Sequence, residues 1–138
     1  MILFHTETSF NLSSKRKYKT WLREIILSKN KKEGNINYIF CNDEHLLNIN
    51  QKFLQHDTYT DIITFDYTEE GFISGDIFIS IERVKENAET FQVSFQEELL
   101  RVLAHGILHL IGYNDKTEKE SRQMRKEEEK AILLFNFN

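Results

Sequence analysis

The run LAHGILHLIGYND, residues 103–115, places two of the chain's five histidines one helical turn apart. Residues four apart on a helix lie above one another, so the imidazoles of His105 and His109 can share one small volume. A zinc ion takes ligands at about 2 Å in near-tetrahedral array, and two imidazoles at this spacing supply half of that set. Asp115 follows the helix-ending Gly112 closely enough to reach back as a third ligand. Three protein ligands leave one position open, which is the pattern of a catalytic zinc site rather than a structural one. Each feature also has a plainer reading: the histidines as two unrelated half-buried rings, Asp115 as a turn cap. Arg101 lies one further turn back on the same face, where it can hold a phosphate or a carboxylate. The glutamate of the peptidase pattern HExxH is missing, because position 106 is glycine. Proteolysis is therefore unsupported. Activation of water falls to a metal or to an acid from elsewhere, with Asp76 and Asp61 as the candidates.

The helix that must carry these side chains has marked ends. Ser94 with Glu97 fits a capping box at its start, and Gly112 can adopt the left-handed conformation that closes a helix. Leu99, Val102, Leu103, Ile107 and Leu110 supply its packing faces, and Gly106 removes bulk beside His105 so that a strand can approach. Upstream, ILFHTE reads as a strand, and Tyr18, Trp21, Leu22, Ile25 and Ile26 recur at helical spacing between about Ser14 and Lys29. KNKKEGN reads as a turn and INYIFC as a second strand. Asn42 or Asp43 can cap a helix bearing Leu46, Leu47, Ile49, Asn50, Phe53 and Leu54. TDIITFDY and FISGDIFIS, separated by TEEG, read as an antiparallel hairpin with Gly71 in its turn. Gly75 marks a bulge or a close approach. Ser80 opens a short helix over IERVKENAET, and a densely charged helix runs from Thr117 into AILLFNF. The expected fold is α/β: one domain over residues 1–138, with a mixed sheet of about four strands packed against helices and the metal site on the helix ending at Gly112.

Composition narrows the partners. With 18 basic and 22 acidic residues the formal charge is -4, so nucleic acid would need a local basic patch. Lys15, Arg16, Lys17, Lys19, Arg23, Lys29, Lys31 and Lys32 offer one, although a solvated helix face gives the same pattern. The single cysteine, Cys41, excludes an intrachain disulfide and reads as a half-buried free thiol. MILFHTETSF has too short an apolar run for a secretion signal, and nothing approaches the roughly 20 apolar residues that span a bilayer. The expectation is a soluble, cytoplasmic protein without a membrane partner.

On these residues the chain resembles the YbeY family of bacterial metal-dependent endoribonucleases, the rRNA maturation factors. The family's HGxLHLxGYDH is matched by HGILHLIGYND from His105 to Asp115, and LNxxYRxxDxPTDVLSF by INQKFLQHDTYTDIITF from Ile49 to Phe65. GDI before a strand is matched by Gly75, Asp76 and Ile77, and Met124 and Glu128 fall where the family's last helix has Met and Glu. The resemblance implies a metal held by His105, His109 and, in place of a third histidine, Asp115. That substitution keeps a donor but hardens the ligand set, so one zinc ion per chain is expected with another divalent metal as the alternative. The arginine of the family's YR pair falls on Leu54, which carries no charge, and Arg101 is the candidate replacement. The implied substrate is single-stranded RNA, with trimming of precursor 16S rRNA near its 3′ end, a role in ribosome quality control, and association with the small ribosomal subunit and a ribosomal protein or GTPase partner. Arg101 and Asp76 are the expected catalytic residues, with water or the RNA 2′-hydroxyl as nucleophile. Two other readings remain: an RNA- or ribosome-binding assembly factor with a structural metal, and a metal-dependent hydrolase of another substrate.

Overall fold

Every second residue of a strand faces the same side of its sheet, and that alternation decides what covers each face here. The computed structural model describes residues 1–54 and 60–135. Its elements follow as β1 (Ile2–Thr6), α1 (Lys15–Ser28), β2 (Lys32–Cys41), α2 (Asp43–Leu54), β3 (Ile62–Asp66), β4 (Phe72–Ser80), α3 (Ile81–Phe91), α4 (Phe95–Ile111) and α5 (Glu118–Leu134). The sheet order is β1-β2-β4-β3. β1 and β4 run parallel to β2, while β3 runs antiparallel to β4, so the sheet is the mixed, four-stranded one expected.

One face presents Ile36, Tyr38, Phe40, Ile73, Ile77 and Ile79 to α1 and α4, and these residues form the main core. Packed among the sheet, α1, α3 and α5, α4 is buried along most of its length. Gly106 permits the approach: a Cβ there would lie 3.0 Å from Ile77 and 3.2 Å from Ile62. At Gly75 a Cβ would lie 2.4 Å from the Phe65 carbonyl oxygen, so this glycine marks a close approach. The irregularity in the ladder falls elsewhere, between Glu33 and Ile36. The other face carries a smaller cluster of Cys41, Leu46, Ile49 and Ile63, with Phe65 and Phe78 packed against it.

The helix starts follow the local chemistry. Asn42, rather than Asp43, caps α2, its side-chain oxygen accepting from His45 N at 2.8 Å. Asp43 is turned instead to Ser80 Oγ and Arg83 Nη2, at 2.6 and 2.8 Å. Ser94 Oγ accepts from Glu97 N at 3.0 Å. The full reciprocal box forms at the start of α5, between Thr117 and Glu120. Gly71 takes φ 80° in the β3–β4 connection. One boundary is corrected: β2 begins at Lys32 rather than Ile36, because Lys32 and Glu33 pair with Phe72 and Ile73 of β4. That pairing overrides the poor strand propensity of KEGN. Among the described residues no helix is long and apolar enough to cross a membrane.

Candidate metal centre

Glu98, Arg101, His105 and His109 make one polar stripe along α4, whose other positions are mostly buried and apolar. At the end of the helix Gly112 takes φ 125°, and its N–H donates to the carbonyls of Leu108 and His109. The chain then turns back, and Ser121 Oγ donates to the Asp115 carbonyl at 3.1 Å. Asp115 Oδ2 consequently lies 3.3 Å from His105 Nε2 and 3.5 Å from His109 Nε2. All three donor atoms fall within 4.8 Å of one another.

Behind this cluster, His105 Nδ1 and Glu128 Oε2 are 2.6 Å apart. With the Glu128 carboxylate as acceptor, Nδ1 is the donor of this pair and Nε2 is the ring atom that faces Asp115. Glu128 is 2 % exposed, and its other oxygen faces Arg101 Nη1 at 3.4 Å. Arg101 grips Glu98 through Nε at 2.9 Å and Nη2 at 2.6 Å, and reaches Asp61 Oδ2 at 3.4 Å. Burial works against the charge on Arg101, but Glu98, then Glu128 and Asp61, outweigh it and hold its pKa above the ordinary arginine value. His109 is shifted downward, by burial first and by its neighbour His105 second, against the opposing pull of Asp115 and the Tyr113 backbone. It is therefore neutral at pH 7, the form that ligates a metal.

Two imidazole nitrogens and a carboxylate oxygen that converge in this way can hold a cation between them. Ligand atoms about 2.0–2.1 Å from a tetrahedral ion lie about 3.3–3.4 Å apart, close to the two separations at Asp115. Two imidazoles and a carboxylate suit zinc and related divalent ions. A carboxylate behind a ligating ring, as Glu128 is behind His105, is the usual device for fixing its tautomer and direction. The residues present fit a metal.

Over residues 3–136 the chain matches the family model described as Endoribonuclease YbeY. The chain belongs to the YbeY family. It is 54 % identical over 136 residues to Endoribonuclease YbeY of Flavobacterium johnsoniae, covering 99 % of this chain and 98 % of that one. Endoribonuclease YbeY of Flavobacterium psychrophilum is 52 % identical over 136 residues, covering 99 % of this chain and 97 % of that one. The solution structure of TM1509 from Thermotoga maritima matches with a TM-score of 0.71 at 33 % identity, over 98 % of this chain and 89 % of that one.

The residues singled out by the YbeY resemblance divide into those that meet and those that do not. His105, His109, Asp115, Arg101 and Asp61 line one cavity of about 600 Å³. Asp76 is absent from it, which corrects the expectation that Asp76 acts on water there. It alternates with Gly75 and Ile77, both of which face α4, so its carboxylate lies on the opposite face of the sheet. There it accepts from Asn37 Nδ2 at 3.2 Å and from the Tyr67 hydroxyl at 3.5 Å. Leu54 is the exposed last residue of α2, and residues 55–59 of that YbeY motif lie outside the described residues. Within the basic run, Arg23 is paired with Glu33 and Lys29 with Glu127, while Lys15 and Arg16 are exposed. Cys41 is fully rather than half buried, and burial, with Glu7 and Asp43 adding to it, pushes its thiol up to about 12.

Glu128 and Glu98 are the residues whose roles sequence reasoning missed. Both left a trace. Glu128 belongs to the buried side of α5 with Met124 and Ala131, and Glu98 to that of α4 with Leu99 and Val102. A glutamate in such a position needs a charged partner.

Proposed function

We propose that this chain is a metal-dependent endoribonuclease acting on single-stranded RNA, with one zinc ion held by His105, His109 and Asp115. The observation that carries the reading is the convergence of these donors, with His105 fixed from behind by Glu128, in a member of the YbeY family. A bound divalent ion supplies Lewis acidity, polarising a phosphoryl oxygen or lowering the pKa of water. The protein supplies position. His105 is held in one tautomer by Glu128, and His109 is kept neutral by burial. Arg101 shares its donors among Glu98, Glu128 and Asp61, so it acts by placing Glu128 and by offsetting part of the negative charge of these carboxylates at the cavity wall. Asp61 is the acid in that wall left to accept a proton from the nucleophile.

The biological substrate we infer is precursor 16S rRNA near its 3′ end, processed on the small ribosomal subunit in the cytoplasm during maturation and quality control, with a ribosomal protein or GTPase as partner. This part rests on the family resemblance. Cleavage of a single-stranded RNA by purified protein, abolished by a chelator and restored by zinc, is the expected result. Repeating the assay with one 2′-deoxy nucleotide at the cut identifies the nucleophile, since continued cleavage assigns attack to water. The second reading, an RNA-binding assembly factor with a structural metal, draws on the uncharged Leu54 and on the carboxylates already gripping Arg101. RNA binding without any metal-dependent cleavage decides for it.

A further inference from the structure

We propose that the cavity beside the histidine cluster contains a nucleobase subsite whose wall is the ring of Phe91, and that stacking of one unpaired base there selects single strands. The inference rests on the endoribonuclease reading above. At about 600 Å³ the cavity is far larger than an ion and a phosphate require, and pockets of about 300–1,000 Å³ enclose ligands the size of a nucleotide. It extends from His105, His109 and Asp115 past Asp61 to Arg83 and Phe91 of α3. Phe91 ends α3 and is 53 % exposed. Among the described residues its ring has no aromatic or cationic partner, unlike Phe53, Phe65, Phe78 and Phe135. An exposed ring bordering the cavity of a nuclease is the feature on which single-stranded nucleic acids stack, because every base has a π face.

Charge sets the path of the strand. A second cavity, of about 520 Å³, also touches Phe91, but Glu97, Glu98, Glu128 and Glu129 oppose only Arg101 and Arg125 there. Phosphates are repelled from it. The first cavity has two acids, Asp61 and Asp115, in its lining, and its arginines are already paired, Arg83 with Asp43 and Arg101 with Glu98 and Glu128. A divalent ion at the histidine cluster supplies the positive charge that draws a phosphate there. The backbone therefore keeps to the histidine side, and an uncharged base reaches Phe91. In a duplex both faces of a base are covered by its stacked neighbours, so only an unpaired or extruded base can use this wall.

The test uses the metal-loaded, full-length protein as wild type, Phe91→Ala and Phe91→Trp. The substrate is a short single-stranded RNA cut once, with an abasic nucleotide placed in turn at each position flanking the cut. F91A should raise KM about tenfold, the effect of losing one base–aromatic stack, with kcat and metal content unchanged, and F91W should restore KM. An abasic nucleotide at one flanking position should weaken wild type by the same factor and F91A no further. A 2-aminopurine base at that position should be quenched on binding to wild type but not to F91A. Wild-type KM in F91A, additive abasic and F91A losses, or loss of metal from F91A each overturn the subsite while leaving the nuclease reading in place. Failure of the wild type to bind or cleave RNA overturns both.

Discussion

His105 is 13 % exposed and stands against Glu128, whose second oxygen meets an arginine already gripped by Glu98. One turn along α4, His109 is 25 % exposed and faces Asp115, which is 39 % exposed on a turn anchored through its backbone carbonyl. The first half of the centre is a closed network in which turning any member leaves a buried charge without its partner. The second half has one carboxylate open to water and no buried acid behind its ring among the described residues. The contrast gives the site a rigid wall that fixes geometry and an open wall that faces solvent.

The largest effect that separates the walls comes from removing each histidine. Both His105→Ala and His109→Ala should release the metal and reduce cleavage to background, but they should differ in the metal-free protein. H105A leaves Glu128 without its ring partner and should lose about 3 kcal/mol in urea unfolding, whereas H109A should lose less than about 1 kcal/mol. Equal losses would erase the distinction.

Next in size is Glu128→Gln, which keeps the shape of the side chain but removes its charge. Zinc affinity by chelator competition should fall about 10- to 100-fold; an unchanged affinity would mean that the rigid wall does not brace its ligand. Gly106→Ala tests the seat of the same wall, because its Cβ would press on Ile77 and Ile62. Overpacking there, less the roughly 1 kcal/mol that alanine gains over glycine inside a helix, should leave a net loss of about 1 kcal/mol of stability, and a net gain would show that α4 can shift on the sheet.

The smallest effect is a control beside Glu128. Glu127 points the other way, to Lys29, which caps the end of α1. Burial raises its pKa, but the Lys29 ammonium, helped by Lys130, outweighs burial and holds the carboxyl below the usual glutamate range. A depressed carboxyl stabilises the fold above its unfolded pKa, about 4.3, and that stabilisation fades as pH falls through the lower folded value. Glu127→Gln should therefore lose about 1 kcal/mol at pH 7, with the gap to wild type closing below about pH 4 and zinc affinity unaffected. A fall in zinc affinity comparable to that of E128Q would show that α5 acts on the site as a whole rather than through Glu128.

What could be read from sequence was what local chemistry decides. The helix around His105 and His109 announced itself through Ser94, its apolar spacing and Gly112, and Asp115 was placed by a turn of fixed length. The role of Glu128 depends on how α5 packs on α4, a relation between elements that no spacing records. Asp76 is the instructive error. Ile73, Gly75, Ile77 and Ile79 already marked the buried face of that strand, so alternation alone excluded Asp76 from sharing a face with the helix that covers it. The early start of β2 was hidden because Lys32 and Glu33 are strand residues only by virtue of their partners on β4.

The most direct test of the centre is metal content per chain, by inductively coupled plasma mass spectrometry, on protein purified without an affinity tag beside Asp115→Ala. About one zinc per wild-type chain, with a clear loss in D115A, is the expected result for a site of two imidazoles and a carboxylate. Little metal in either protein, or equal metal in both, would contradict the assignment of His105, His109 and Asp115 as its ligands.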